Sequence, residues 1–136
     1  MFRIRREQLE HFADRAREEF LAKMRAYLRE SFAELVSAMN DAELSAWLRG
    51  ALGRCERFGV DTEPEAAQLV LLYLVLGLDA HEQYPWAREA LEDPVLVPLG
   101  KLRRLVRAAR AEGIAGIEDV LVYEEMAERE LEAVEA

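Results

Sequence analysis

Apolar side chains recur at every third or fourth position in two long stretches of the chain, the spacing that places them on one face of an α-helix. The first stretch covers residues 9–28 and the second covers residues 44–58. Asn40 and Glu43 precede the second stretch with the spacing of a capping box, in which two side chains satisfy backbone N–H groups at a helix start. Gly59 follows it and favours the left-handed conformation that commonly ends a helix. The pattern therefore predicts two amphipathic helices, the second with a defined start and end.

The capping-box spacing occurs at two further places. Ser31 and Glu34 predict the start of a short helix that continues to Met39, after either a kink or a clean break in the chain. Thr62 and Glu65 predict the start of another helix, with a proline between them in the first turn.

Residues 66–76 have almost no polar face, and their Leu-rich composition favours a buried helix. A β-strand is the alternative for residues 69–76, but strands are richer in β-branched side chains than this segment is. Gly77 is expected to end the helix. We predict that residues 69–76 form the most buried segment of the fold. The predicted core also includes Phe12, Phe20, Leu44, Trp47, Leu48, Leu52 and Phe58.

The second half of the chain is divided by prolines and glycines. Residues 78–83 are predicted to form a polar loop, after which Pro85 opens a short helix over residues 86–92. Residues 94–100 hold two prolines and a glycine and predict an irregular connector. A basic helix with Lys101 on its surface is expected to follow and to end near Gly113.

These elements predict an all-α fold, a single-domain bundle of about six or seven helices around the Leu-rich helix. A length of 136 residues fits one domain, and an apolar fraction of 51% is enough to build a core. We divide the chain into a helical core domain of residues 1–113 and an acidic segment of residues 114–136. This segment either packs on the domain as a helix or extends from it as a tail.

The charge balance argues against several classes of partner. Acidic residues number 27 against 18 basic ones, so the net charge of −9 repels phosphate backbones and anionic lipid surfaces. We therefore expect neither nucleic acid nor a membrane as partner. The single cysteine, Cys55, forms no intramolecular disulfide, and polar residues follow the basic start where a signal peptide needs an apolar stretch. A cytoplasmic location is expected.

Candidate catalytic residues are scarce. Asp79, His81 and Glu82 stand close together, but one histidine among acidic residues on a turn is typical of a surface, and His81 is expected there. Cys55 lies on an apolar helix face and is expected to be a buried thiol with a raised pKa. The glycines lack the pattern of a phosphate-binding loop. We predict a protein that is not an enzyme, with no catalytic residue, no cofactor and no metal.

Two groups of residues are candidates for protein binding. Tyr84 and Trp86 flank a proline at a predicted helix start, where they either pin the loop onto the core or anchor a partner. The basic helix and the acidic segment have opposite charges, so the segment packs along that helix, or an acidic partner does. The candidates in this second group are Arg103, Arg104, Arg107, Glu124, Glu125 and Glu128.

A set of short motifs is similar to a known family. It comprises Arg-Cys-Glu-Arg-Phe-Gly-Val at residues 54–60, Leu-Gly-Leu-Asp at residues 76–79, Tyr-Pro-Trp-Ala at residues 84–87 and Leu-Glu-Asp-Pro at residues 91–94. These motifs resemble those of small helical proteins of bacterial type VI secretion effector operons, and the resemblance covers roughly residues 1–110.

The resemblance implies an adaptor or co-chaperone that helps to load a secreted effector onto the secretion spike. Its partner would be the effector, the effector's chaperone or a spike-tip protein. The alternative is an immunity protein, because a small acidic domain can block the active cleft of a basic toxin by charge complementarity. An immunity protein would abolish toxicity on co-expression, whereas an adaptor would leave toxicity intact.

Overall fold

The computed structural model describes the backbone of residues 6–121 and the side chains of residues 14–121. Every regular element in this part of the chain is helical, which confirms the predicted all-α fold. The α-helices are α1 (Arg6–Ser31), α2 (Ala33–Val36), α3 (Asp41–Arg57), α4 (Glu63–Leu76), α5 (Ala80–Gln83), α6 (Pro85–Glu92) and α7 (Pro98–Ala111), and a short 3₁₀ helix follows at Ile117–Val120.

The chain forms two compact units, Met1–Arg49 and Gly50–Ala136, and helix α3 continues from the first into the second. The predicted division into residues 1–113 and 114–136 stays a prediction, because residues 122–136 lie outside the part that the structure describes.

Arg29, near the end of α1, organises the turn that follows α2 in the first unit. Its guanidinium donates hydrogen bonds to the carbonyl oxygens of Val36 at 2.9 Å and of Met39 at 2.7 Å, and contacts the Asp41 carboxylate at 3.2 Å. The Val36 carbonyl oxygen also accepts a hydrogen bond from the Met39 N–H at 3.1 Å, so the guanidinium and the backbone both bind the end of α2. One side chain thereby fixes the path of the chain from α2 to the start of α3.

Of the predicted capping boxes, the one at α3 is confirmed. The Asn40 side chain accepts a hydrogen bond from the Glu43 N–H at 2.8 Å, and the Glu43 carboxylate accepts one from the Asn40 N–H at 3.1 Å. The box predicted at Ser31 is wrong, because α1 continues through Ser31 and the Phe32 N–H still donates to Leu28 O. Phe32 precedes α2 and provides no side-chain cap.

Helix α3 ends at a Schellman motif, as its glycine predicts. The Val60 N–H donates to Cys55 O at 2.7 Å, the Gly59 N–H donates to Glu56 O at 3.1 Å, and Gly59 has a φ of +76°. Val60 is fully buried, so an apolar contact accompanies the hydrogen bonds. The chain turns here towards α4.

Helix α4 is the most apolar element of the second unit and confirms the predicted buried Leu-rich helix. Residues 66–73 and Leu76 are all buried. Thr62 precedes its first turn, where the Thr62 hydroxyl bonds the Glu65 carboxylate rather than a backbone N–H. The predicted box at Thr62 therefore forms a side-chain pair at the right place but not a backbone cap. Gly77 ends α4 as predicted, and its N–H donates to Tyr73 O at 2.8 Å.

Two predictions about loops are wrong. Residues 78–83 contain helix α5, because the buried Ala80 anchors the segment while Arg54 donates to Leu78 O at 2.7 Å and contacts Asp79 at 3.9 Å. Pro98 and Gly100 belong to α7 and not to the connector. A proline is tolerated in the first turn of a helix, because backbone N–H groups there have no partner within the helix and none is lost. The connector between α6 and α7 is therefore shorter than expected.

The predicted core is mostly confirmed. Five of its members are buried, namely Phe20, Leu44, Leu48, Leu52 and Phe58. Trp47 is only half-buried, because it lies at the edge of the apolar stripe of α3. Phe12 lies outside the described side chains.

Candidate functional site

The connector between α6 and α7 exposes apolar side chains. Val95 is 86% exposed and Val97 is 67% exposed, the largest values for any large apolar side chain among the described residues. We name residues 93–97 the valine connector. A single exposed valine is ordinary, but two in one short connector form a small apolar surface at the end of α6.

The carboxylate of Asp93 binds both the valine connector and helix α7. It accepts a hydrogen bond from the Val95 N–H at 2.9 Å and another from the Arg104 guanidinium at 3.0 Å. The first of these is an Asx turn, in which an aspartate side chain replaces a backbone acceptor. The Val95 N–H, followed by Arg104, lowers the pKa of Asp93 below its ordinary value of 3.8.

Lys101, in the first turn of α7, joins that helix to the last turn of α6 and to the end of α3. Its ammonium group donates to the carbonyl oxygen of Leu91 at 2.7 Å and to that of Phe58 at 2.8 Å. Leu91 belongs to the last turn of α6, and Phe58 follows α3. The prediction that Lys101 lines the surface of α7 is therefore wrong, because its long side chain turns back to bind these carbonyl groups. The two valines are exposed on a tethered connector.

A shallow charged groove of about 430 Å³ lies beside the valine connector. Its lining residues are Arg88, Glu89, Glu92, Asp93 and Arg104. Arg88 contacts Glu92 at 3.3 Å, and Arg104 contacts Asp93 at 3.0 Å. Both guanidinium groups are thus paired with carboxylates inside the groove, while the Glu89 carboxylate has no ion pair within the described part of the chain. We name this surface the α6–α7 groove.

The predicted aromatic pair lies at the other end of α6. The rings of Tyr84 and Trp86 stack on each other, with centroids 4.8 Å apart and planes inclined by 29°. Both side chains are half-buried. Stacking covers one face of each ring, and part of each side chain stays exposed. The pair therefore fits both predicted alternatives, a contact that pins the loop and an anchor for a partner.

The predicted basic residues are separated rather than gathered. Arg103, Arg104 and Arg107 are all exposed on α7, but among these three only Arg104 lines the α6–α7 groove. Arg110 pairs with Glu118 at 2.9 Å, which joins α7 to the 3₁₀ helix. The acidic candidates Glu124, Glu125 and Glu128 lie outside the described residues.

The predicted burial of Cys55 is confirmed, whereas the partial burial of His81 was not predicted. Cys55 is fully buried, and burial raises the pKa of its thiol to about 12, so the thiol is protonated at neutral pH. The prediction of a surface His81 is wrong. Helix α5 places its ring edge-on to Phe58 with centroids 5.6 Å apart, and only 10% of the side chain is exposed. Its Nδ1 has no hydrogen-bond partner in the described part.

The described residues contain no group of three or more histidine, cysteine, aspartate or glutamate side chains placed to hold a metal ion. None of the helices in residues 6–121 combines the length and the apolar composition that crossing a membrane requires. No protein-family model matches the chain, and the chain matches no curated protein and no solved structure.

Sequence reasoning missed the residues that form this surface. Val95 and Val97 fall in the predicted irregular connector of residues 94–100, and Asp93 stands just before it; none of the three is among the predicted site residues. A signal was present, because three apolar residues stand between Pro94 and Pro98, where proline disfavours the regular elements that could bury them.

Proposed function

We propose that this protein is a non-enzymatic, protein-binding adaptor that binds its partner through the valine connector and the adjoining α6–α7 groove. The observation that carries the proposal is the exposure of Val95 and Val97 on a connector held by Asp93 and Lys101. Burying a valine-sized apolar side chain contributes roughly 1.5–3 kcal/mol of favourable free energy. A partner that covers Val95 and Val97 would gain this free energy on binding.

Prior ordering of the connector favours binding. A flexible loop loses conformational freedom when it binds, and this loss reduces affinity. The Asp93 hydrogen bond to Val95 and the two Lys101 hydrogen bonds restrict that freedom in the unbound protein. Tyr84 and Trp86 stand at the opposite end of α6 and extend the possible contact surface along that helix.

The sequence motifs supply the more specific part of the proposal. Because they resemble proteins of type VI secretion effector operons, we propose that the partner is a secreted effector, its chaperone or a spike-tip protein. The adaptor would then assist the loading of the effector. A non-catalytic role agrees with a Cys55 thiol that burial keeps protonated.

The proposal is tested by capture from the native host. Tagged full-length protein and a Val95→Ser/Val97→Ser variant are used to capture proteins, which are identified by mass spectrometry. The wild type should recover an effector, chaperone or spike-tip protein that the variant loses. A Leu35→Ser variant is the matched control, because Leu35, at 48%, is the remaining exposed large apolar residue among residues 14–121. Equal recovery by the wild type and the valine variant would refute the connector as the binding site.

Co-expression with the captured effector separates an adaptor from an immunity protein. An adaptor leaves the effector's toxicity unchanged, and we expect that result. Loss of toxicity would favour the immunity function instead, and the valine variant would then show whether inhibition uses the same surface.

A further inference from the structure

We propose that the partner binds this site through a segment that is both apolar and basic, with apolar side chains covering Val95 and Val97 and a lysine or arginine entering the α6–α7 groove. This inference rests on the proposed function and adds the chemical class of the binding segment. It follows from the charges of the groove and from the apolar surface at its side.

The charge in the groove favours a cation. Three carboxylates line it against two guanidinium groups. Each guanidinium already has a carboxylate partner, in the pairs Arg88–Glu92 and Arg104–Asp93. Glu89 is exposed and supplies the excess negative charge. A lysine or arginine from a partner can pair with Glu89 without breaking either internal ion pair, whereas a carboxylate would meet like charge.

The charge of the whole chain acts in the same direction. At −9, the protein attracts basic segments over distances of about one Debye length, roughly 8–10 Å at physiological salt. It repels a second copy of itself. Two valines also present much less surface than the roughly 800 Å² per partner of a stable interface, so they fit a segment of another protein better than a homodimer.

The test uses two synthetic peptides as probes. Each has about 18 residues, or five helical turns, with leucines on one face and either lysines or glutamates on the other. Fluorescence anisotropy measures their binding to the full-length protein at low ionic strength. The leucine–lysine peptide should bind at least about tenfold more tightly than the leucine–glutamate peptide, and added salt should weaken its binding.

Uncharged substitutions separate binding at the site from general attraction to an acidic protein. Val95→Ser/Val97→Ser leaves the net charge unchanged and should weaken binding of the leucine–lysine peptide about tenfold, because an apolar contact is lost. Glu89→Gln removes one groove charge and should weaken it severalfold. The matched controls are Leu35→Ser and Glu34→Gln, which make the same chemical changes on exposed residues of the first unit and should leave binding unchanged.

Each result has a defined meaning. Equal weakening by Glu89→Gln and Glu34→Gln, with no effect of the valine variant, would mean general charge attraction and would overturn the inference. Tighter binding of the leucine–glutamate peptide would also overturn the inference. If the valine variant weakened that binding, the valine connector would still be the docking site. Failure of the proposed function is recognised separately, by a valine variant that captures the same host proteins as the wild type. Circular dichroism of every variant verifies that the helices are retained.

Discussion

Two apolar segments of this chain differ in their exposure to solvent. Residues 69–76 of α4 are buried except for Leu74 and Val75, which are half-buried, whereas Val95 and Val97 in the valine connector are largely exposed. Composition alone does not separate them. The difference lies in the backbone, because α4 satisfies its own N–H and C=O groups and can be buried, while Pro94 and Pro98 prevent a helix through the connector.

The comparison indicates what each run contributes. Leucines of α4 stabilise the fold by leaving water. The exposed valines contribute little to folding, and in the proposed function a partner covers their apolar surface. Substitution of the connector valines should therefore change stability little and weaken binding. Substitution of the α4 leucines should lower stability strongly.

The largest expected effect is on α4. Leu72→Ala should lower the free energy of unfolding by about 2–5 kcal/mol, because a side chain that is only 3% exposed leaves a cavity. Val95→Ala should change it by less than about 0.5 kcal/mol. Urea denaturation followed by circular dichroism measures both. Similar losses in the two variants would remove the distinction between the runs.

The Lys101 contacts should rank next. Lys101→Met removes two hydrogen bonds from a charged donor and should cost about 2–3 kcal/mol, since each such bond contributes about 1.5–3 kcal/mol and water can replace part of the loss. Arg107→Met, which changes an exposed cation of the same helix, should cost less than about 0.5 kcal/mol. Equal unfolding midpoints for the two variants would contradict the tethering of the connector.

The end of α4 gives a comparable but slightly smaller effect. Gly77 has a φ of 90° and a ψ of 154°, a region that is essentially restricted to glycine, so Gly77→Ala should destabilise by about 1–3 kcal/mol. Gly53 lies inside α3 with open space around it, so Gly53→Ala should instead stabilise by about 0.5–1 kcal/mol. Thermal unfolding of the two variants would reveal opposite shifts, and a stabilising Gly77→Ala would disprove this explanation of the helix end.

The smallest effect concerns pH and the order of the connector. Because the pKa of Asp93 is lowered in the folded protein, its bond to Val95 is complete above the ordinary value of 3.8 and is lost as the pH falls through the lower folded value. Hydrogen-exchange protection of the Val95 N–H, corrected for intrinsic rates, should decrease in that range. Protection of the Leu71 N–H in α4 should not. Asp93→Asn should abolish the pH dependence at Val95, and an unchanged dependence would assign it to another group.

Local signals account for the parts of the fold that were predicted correctly. The Asn40–Glu43 box and the Gly59 turn depend on residues within one or two helical turns, so their spacing in the sequence is sufficient. The burial of α4 follows from the absence of a polar face. Ser31 had the same spacing as Asn40 but failed, because the backbone bond from Phe32 to Leu28 continued α1 in its place.

The candidate site depends on contacts between residues far apart in sequence, which a periodicity cannot show. Lys101 donates a hydrogen bond to the Phe58 carbonyl, and Arg104 donates one to the Asp93 carboxylate. These two basic residues of α7 therefore bind other segments of the chain. His81 is half-buried, with its ring against Phe58, because α5 forms where a polar loop was predicted. The exposure of Val95 and Val97 depends on how the connector lies between α6 and α7, which hydrophobic periodicity does not show. Of the predicted binding residues that lie within residues 14–121, Arg104 alone lines the α6–α7 groove.

The central claim is that a partner covers the valine connector, and thiol labelling tests it most directly. The single native thiol, Cys55, is fully buried with its pKa raised to about 12, so it should not react with a thiol reagent in the folded protein. Val97→Cys adds one reactive thiol at the connector. Binding of the captured partner should slow its labelling at least about tenfold, a protection that needs only about 1.4 kcal/mol of burial. Leu35→Cys should remain reactive in the same complex. A Val97→Cys thiol that labels at the same rate with and without the bound partner would contradict the account, whatever the reactivity of Leu35→Cys.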